Sequence, residues 1–261
     1  MEKQYHPYHM VDPSPWPYTL SFSMLGMAVG AVMYFHYNFP YLLLLGFFSA
    51  VLVFTCWTRD VVREATFLGK HTQRVVAGLK MGFLLFIVSE IFLFVSLFWA
   101  FLHAALSPAI EIGALWPPKG INPLDPFALP LLNTAFLLSS GATVTWSHHA
   151  LVAGLRRESL IGLAVTLCLG TLFTLCQALE YSQAPFTIAD SVYGSSFFLA
   201  TGFHGLHVLV GTIFLGVAWA RTYYYHFGRR RHLGFEMACW YWHFVDVVWL
   251  LLYIIIYWWG S

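Results

Sequence analysis

The sequence predicts an all-α membrane protein with seven transmembrane helices, and three observations carry that prediction. Of the 261 residues, 59% are apolar and only 10% are charged, whereas about a quarter are charged in average soluble domains. Several apolar runs reach about twenty residues, the length that crosses the hydrocarbon core of a bilayer. Twelve of the thirteen Lys and Arg residues lie in the N-terminal segment or in alternate connections between these runs, as expected for a chain that crosses a membrane repeatedly.

The spans are predicted from apolar runs read in windows of about twenty residues. In chain order they are Tyr18–Phe35, Tyr41–Trp57, Met81–Leu102, Leu131–Leu151, Leu160–Leu179, Ser195–Ala220 and Phe235–Trp259. The connection between the first two is so short that these spans must form an antiparallel hairpin. Gly26 and Gly30 form a G-x-x-x-G pattern in the first span. This pattern either lets another helix approach closely or reflects the high glycine content of such helices.

The basic residues predict the orientation. They lie before the first span and in the connections after the second, fourth and sixth spans: Lys3, Arg59, Arg63, Lys70, Arg74, Lys80, Arg156, Arg157, Arg221, Arg229, Arg230 and Arg231. Positively charged connections face the cytoplasm or the mitochondrial matrix, so we expect the N-terminus there and the C-terminus on the opposite side. The proline-rich segment Trp116–Pro130, with Lys119, then caps the opposite face. A net charge of +1 gives no reason to expect nucleic-acid binding.

Glu90 lies near the middle of the third span, about a dozen residues from the nearest basic side chain. An unpaired carboxylate in hydrocarbon costs several kcal/mol, so we expect a protonated acid that faces protein or water. Two interpretations stay open. Glu90 either relays protons or gates a path, or it is a neutral acid that hydrogen-bonds a neighbouring helix.

Two further pairs of polar residues share a helix face inside predicted spans. His204 and His207 are three residues apart, and so are His243 and Asp246. Such pairs either ligate a metal or haem or make hydrogen bonds between helices, and the second role is the usual one in membrane bundles. Because no H-E-x-x-H, C-x-x-C-H or thiolate cluster is present, we predict helix packing and no metal site in this chain.

Two basic clusters adjoin the predicted spans. Arg59, Asp60, Arg63 and Glu64 follow the second span, and the mostly positive set Arg221, His226, Arg229, Arg230, Arg231 and His232 follows the sixth. The first cluster is either a charged extension of the helix or a site for a phospholipid headgroup. We favour phosphate binding at both clusters, because arginine matches phosphate geometry.

Several segments resemble subunit III of the mitochondrial aa3-type cytochrome c oxidase. They are HMVDPSPWP (9–17), RDVVREATFLGKHT (59–72), FIVSEIFLF (86–94), WPPKGINPLDPFALPLLNT (116–134), TWSHH (145–149), APFTIADSVYGSSFFLATGFHGLHVLVGT (184–212) and WYWHFVDVVWLLLYIIIYWWGS (240–261). The resemblance covers nearly the whole chain in register. Seven predicted spans also fit this subunit, whereas the related quinol-oxidase subunit has five.

The resemblance implies a fold of a two-helix and a five-helix bundle with phospholipids in a V-shaped cleft. Residues 1–17 would form a matrix segment, 18–58 the two-helix bundle, 59–80 a basic connection and 81–261 the five-helix bundle. The intramembrane carboxyl of the family falls on Glu90. Its lipid contacts fall on Arg63, His71, Arg221, His226, His232, Trp57 and Trp240.

The resemblance also implies a subunit with no catalytic residue and no bound cofactor of its own. Haem a, haem a3 and the copper centres would belong to partner subunits, with subunit I as the main contact, other complex IV subunits around it, and phospholipids, cardiolipin among them, as ligands. The location would be the mitochondrial inner membrane. Two alternatives remain: a transporter or channel lined by Glu90 and the histidines, and a haem-binding electron carrier.

Overall fold

The computed structural model describes residues 6–261, so the first five residues, Lys3 among them, lie outside the described part of the chain. Within that part the protein is all-helical. The seven α-helices are α1 Trp16–Tyr37, α2 Tyr41–Thr66, α3 Gln73–Leu106, α4 Leu129–Ala153, α5 Arg156–Gln183, α6 Ser191–Tyr223 and α7 Leu233–Leu252. A short 3-10 helix, Ile110–Ile112, precedes α4, and α7 continues as a π-helical segment, Tyr253–Trp258.

Within residues 6–261, six helices are long and apolar enough to cross a membrane, and α4 is the exception. At 25 residues α4 is about 38 Å long, which is sufficient for a span. Its composition is too polar because it carries many Ser, Thr and His side chains. Asn133, Ser140 and Ser147 of α4 are fully buried, so these polar groups face neighbouring helices.

The described residues divide into two compact units, 6–79 and 80–261. The first contains α1, α2 and the start of α3. The second contains the rest of α3 and the helices α4 to α7, in which α4 packs on α5 and α7, and α6 packs on α5 and α7.

The hairpin of the first unit depends on glycine, as one interpretation of the G-x-x-x-G pattern predicts. A Cβ atom on Gly30 would collide with the backbone at Leu43, and one on Gly46 would lie 2.6 Å from the backbone nitrogen of Met27. No side chain fits at such distances, so α1 and α2 contact each other through their backbones. The close-approach interpretation is therefore confirmed at Gly30 but not at Gly26, where an added Cβ atom would lie 3.8 Å from Gly46 Cα, an ordinary contact.

α7 is the central helix of the second unit. More than half of its span, 56%, is buried, against 11% for α1, α2 and α3. Two tryptophans of α7 donate hydrogen bonds to α4: Trp242 Nε1 to Ser140 Oγ at 2.8 Å, and Trp249 Nε1 to Thr134 Oγ1 at 2.9 Å. These bonds satisfy Thr134 and Ser140 of α4, whereas the Asn133 amide and His148 Nε2 have no hydrogen-bond partner within residues 6–261. By contrast, large apolar side chains such as Phe92 are exposed, as expected of a surface that faces lipid.

The helices extend beyond the predicted spans at the basic connections. α2 continues nine residues past Trp57 to Thr66, and α3 begins at Gln73, eight residues before Met81. Most of the predicted connection 59–80 is therefore helical, and the charged residues after Trp57 lie on an extension of α2. A helical extension does not exclude a lipid site at the same residues. Lys80 in α3 forms an ion pair with Glu236 in α7, with Nζ 2.7 Å from Oε1.

Candidate functional site

Glu90 and His207 form the polar centre of the second unit. Glu90 extends from α3, and its Oε2 lies 2.8 Å from Nε2 of His207 in α6. The Glu90 side chain is 21% exposed and that of His207 is 9% exposed. Phe94, one turn along α3, packs edge-on against the imidazole with ring centroids 5.0 Å apart. The acid is thus paired with a neighbouring helix inside the protein.

The second nitrogen of His207 limits the possible protonation states. Nδ1 lies 2.6 Å from the backbone oxygen of Phe203. A carbonyl oxygen only accepts, so Nδ1 carries a hydrogen. Nε2 then either accepts a hydrogen bond from protonated Glu90 or, in the imidazolium form, donates one to the carboxylate. In both cases one proton lies between the two facing atoms, and this arrangement can hold or pass a single proton.

The other predicted packing residues bond between helices to different extents. His204 is buried, and its Nε2 lies 3.2 Å from the backbone oxygen of Val245 in α7. His243 Nε2 lies 3.1 Å from Thr145 Oγ1 in α4. Asp246 is 7% exposed, and its Oδ1 has no hydrogen-bond partner among residues 6–261. His243 and Asp246 are 3.9 Å apart, which is too far for a hydrogen bond.

The sequence reasoning missed a second buried carboxyl, Glu180 at the end of α5. It is 2% exposed and accepts a hydrogen bond from the Tyr257 hydroxyl at 2.5 Å. Gln177, one turn earlier, donates to the same oxygen at 3.2 Å. The polar pair Gln177 and Glu180, three residues apart beside an apolar run, was the signal that could have identified this network.

Three of the predicted lipid contacts line one cavity of about 470 Å³ in the first unit. Trp57 and Arg63 on α2 and His71 in the following loop share it with Trp16 and Asp60. Trp16 Nε1 donates to Asp60 Oδ2 at 2.7 Å, which fixes the start of α1 against the α2 extension. The Arg63 side chain is 59% exposed and so is available to an anionic headgroup. The cavity wall thus combines a cation, an imidazole and indole rings with the carboxylates of Asp12, Asp60 and Glu64.

The N-terminal segment is attached to the loop between α2 and α3. The Lys70 ammonium lies 2.5 Å from Asp12 Oδ2, and Thr72 Oγ1 donates to the Pro7 carbonyl at 2.6 Å. The hydrogen bond and charge of Lys70 lower the pKa of Asp12 below its usual value of 3.8. The segment before α1 therefore lies over the cavity.

The remaining predicted lipid contacts lie at one end of the second unit. Arg221 lies in the last turn of α6, and its guanidinium lies 4.2 Å from the centroid of the Phe227 ring. The loop that follows carries His226 and His232, and the latter packs edge-on against His148 at 5.3 Å. Trp240 on α7 lies under the Lys80 ammonium, 5.8 Å from its ring centroid.

The fold and these sites define a helical membrane protein with several spans and polar networks between its helices. The family model described as "Cytochrome c oxidase subunit III" matches residues 6–261. Named "Cytochrome c oxidase subunit 3", the protein of Branchiostoma lanceolatum is 58% identical over 99% of this chain and 98% of its own length. Those of Scyliorhinus canicula and Pisaster ochraceus are 58% and 59% identical, over 100% and 98% of both chains. The chain belongs to the cytochrome c oxidase subunit III family, and neither the transporter nor the haem-carrier alternative is supported.

Proposed function

We propose that this chain is the subunit of a mitochondrial cytochrome c oxidase that stabilises the catalytic core without catalysing a redox step itself. The observation that carries this proposal is the match to the family from residue 6 to the last residue. Haem a, haem a3 and the copper centres belong to partner subunits, with subunit I as the main contact. The subunit supports electron transfer from cytochrome c to O2 and the accompanying proton translocation through the structure it provides.

The first contribution is lipid binding at two places. In the first unit, Trp57, Arg63 and His71 bind one phospholipid headgroup, and the support is that all three line one cavity. In the second unit, Arg221, His226, His232 and Trp240 bind another. Arginine at each place supplies a fixed charge and a planar donor set for phosphate. Cardiolipin, with two phosphates, is one candidate ligand at the more positive second site.

The second contribution is a proton-holding pair, Glu90 and His207. The support is their 2.8 Å contact together with the hydrogen that Phe203 requires on Nδ1. A group that exchanges one proton with its neighbour can buffer protons close to the core of the enzyme. Glu90 thus acts through protonation rather than through metal or haem ligation.

The orientation follows the basic connections. The N-terminus, the end of α2 and the end of α6 face the matrix, and the C-terminus faces the intermembrane space. Both lipid sites then contact the matrix leaflet.

Capture of the assembled oxidase tests the proposed function. A tag on this chain should retain subunit I together with the haem a absorbance and the copper of the complex, in a fixed ratio to the chain. After mild dissociation, the released chain should carry no Soret band while the remaining complex keeps its haems. A Soret band that follows the released chain would support the electron-carrier alternative instead.

A further inference from the structure

A compact group of metal-ligand atoms lies in the first unit, at residues that no sequence motif connects. His9 comes from the N-terminal segment, Glu64 from the last turn of α2 and His71 from the loop that follows. One ligand atom from each residue lies within 4.8 Å of the others. His9 Nε2 is 3.9 Å from Glu64 Oε2, and the rings of His9 and His71 have centroids 5.7 Å apart.

His9 is the strongest sign that this group binds a ligand. Its side chain is only 10% exposed, and its Nε2 makes no hydrogen bond within the described residues 6–261. A buried polar nitrogen without a partner is destabilising, because it has lost its hydrogen bond to water and gained none. This nitrogen belongs to a residue that lines the 470 Å³ cavity together with Glu64 and His71. A bound cation would satisfy it, and the carboxylate of Glu64 would supply opposite charge.

The surrounding structure holds all three residues in place. The backbone nitrogen of Lys70 donates to the Glu64 carbonyl at 3.1 Å, and Gly69 with φ of +63° reverses the chain just before His71. On both sides of His9 the N-terminal segment is bonded to the same loop, through Pro7 and through Asp12. The ligand positions therefore do not depend on one flexible side chain.

We infer that His9, Glu64 and His71 form a binding site for a divalent transition-metal ion, with Zn²⁺ as the preferred occupant. Two imidazoles and one carboxylate form a ligand set that zinc accepts, with metal–ligand distances of about 2.0–2.2 Å. In a tetrahedral site the ligand atoms lie about 3.4 Å apart. The ligand atoms here lie within 4.8 Å of one another, so side-chain movements of about 1 Å would bring them around the ion. The fourth position stays open to water or to an anionic oxygen. Zinc here would connect the segment before α1 to the end of α2.

Zinc binding to the complete purified oxidase tests this site. Equilibrium dialysis against Zn²⁺ should show one more bound equivalent in the wild type than in Glu64→Gln or His9→Asn. If these variants still bind that equivalent, their affinity for it should be at least about tenfold weaker. His36→Asn is the matched control, because His36 lies at the opposite end of α1 from the cluster, and it should bind zinc like the wild type. Equal binding in the wild type and both cluster variants would overturn the site.

X-ray absorption identifies the ligands. The wild-type minus variant difference spectrum cancels zinc bound anywhere else on the complex. It should show nitrogen or oxygen neighbours at about 2.0–2.1 Å with imidazole scattering. A difference spectrum with sulfur neighbours or with no imidazole would exclude this ligand set.

A measurement on the wild type alone covers the case in which the variants fail to assemble. Zinc bound to His71 should restrain the loop, so trypsin cleavage after Lys70 should slow at least about tenfold when Zn²⁺ is added. An unchanged cleavage rate at zinc concentrations that saturate dialysis would contradict the site. His71 and the cavity are common to the zinc site and the proposed lipid site. The two proposals still fail separately, because dialysis counts bound zinc in Glu64→Gln and His9→Asn, whereas native mass spectrometry counts lipid in Arg63→Ala.

Discussion

Oε2 of Glu90 in α3 lies 2.8 Å from Nε2 of His207 in α6. The backbone oxygen of Phe203 needs a hydrogen on Nδ1 of the same imidazole, so one proton is shared between Oε2 and Nε2. The acid is therefore not an isolated charge in the membrane interior. Its partner is 117 residues away in sequence, so only the packing of α6 near α3 brings the two together. The same contact therefore contributes to the packing of the second unit and to any proton transfer that involves Glu90.

Substitution of Glu90 should separate packing from proton chemistry. Glu90→Gln should keep normal assembly, since the amide N–H can donate to the bare Nε2 of neutral His207. Glu90→Ala should lower stability by about 1–3 kcal/mol, because it leaves a cavity and an unpaired imidazole. The thermal unfolding midpoint of the purified complex measures both. If Glu90 relays protons, the two variants should reduce turnover or proton pumping equally.

Infrared difference spectroscopy checks the protonation state. We expect a carboxylic-acid C=O band in the wild type at neutral pH that is absent in Glu90→Gln. A carboxylate band in its place would show the ionised acid with imidazolium and contradict the neutral pair.

Loss of arginine should remove bound phospholipid at each proposed lipid site. Arg63→Ala and Arg221→Ala should each lose one lipid, since a charge-assisted phosphate contact contributes about 1–3 kcal/mol. Native mass spectrometry of the complex counts the lipids. Arg157→Ala, at the exposed start of α5, is the control and should retain both. Unchanged lipid numbers in all three variants would count against the assigned sites.

The hairpin of the first unit should be sensitive to one methyl group. Gly30→Ala and Gly46→Ala place a Cβ atom against backbone, which must shift at a cost of about 1–3 kcal/mol. Amide hydrogen exchange of α1 and α2 should become faster in these variants. Gly78→Ala, where no atom lies within 4 Å of the added Cβ, should leave exchange unchanged or slower.

The Glu180 network should contribute to the stability of the second unit. Tyr257→Phe removes the hydroxyl that donates to the buried carboxyl and should cost about 1–3 kcal/mol. Tyr253→Phe is the matched control, because its hydroxyl makes only a 3.3 Å contact with the Pro126 carbonyl. Thermal unfolding of the purified complex measures the difference. Equal losses in both variants would show that the Glu180 contact is not specifically stabilising.

The orientation is testable at Lys119, the single basic residue placed on the intermembrane-space side. A membrane-impermeant amine or thiol reagent should label Lys119, or a cysteine in its place, from that side of intact inner membranes, and should label Lys70 only from the matrix side. Labelling of Lys119 from the matrix side would reverse the topology.

The helices, the first hairpin and the family of this protein could be predicted from its sequence alone. Apolar run length predicted the helices, because the thickness of the bilayer sets the number of apolar residues that a spanning helix needs. The short connection after the first span predicted the hairpin, and near full-length similarity predicted the family that the comparisons confirm. The helix ends were less predictable: α2 and α3 extend through charged residues, whose helical propensity is good even where hydropathy is low.

Only the tertiary structure decided which polar groups meet. Glu90 with His207, Glu180 with Tyr257, and Trp242 with Ser140 join helices far apart in sequence. Hydropathy records the depth of each residue but not its rotation about the helix axis or its neighbour across the interface, and these follow from side-chain packing between helices. The group of His9, Glu64 and His71 has the same origin: two hydrogen bonds between the N-terminal segment and the α2–α3 loop bring together ligands that no sequence spacing connects.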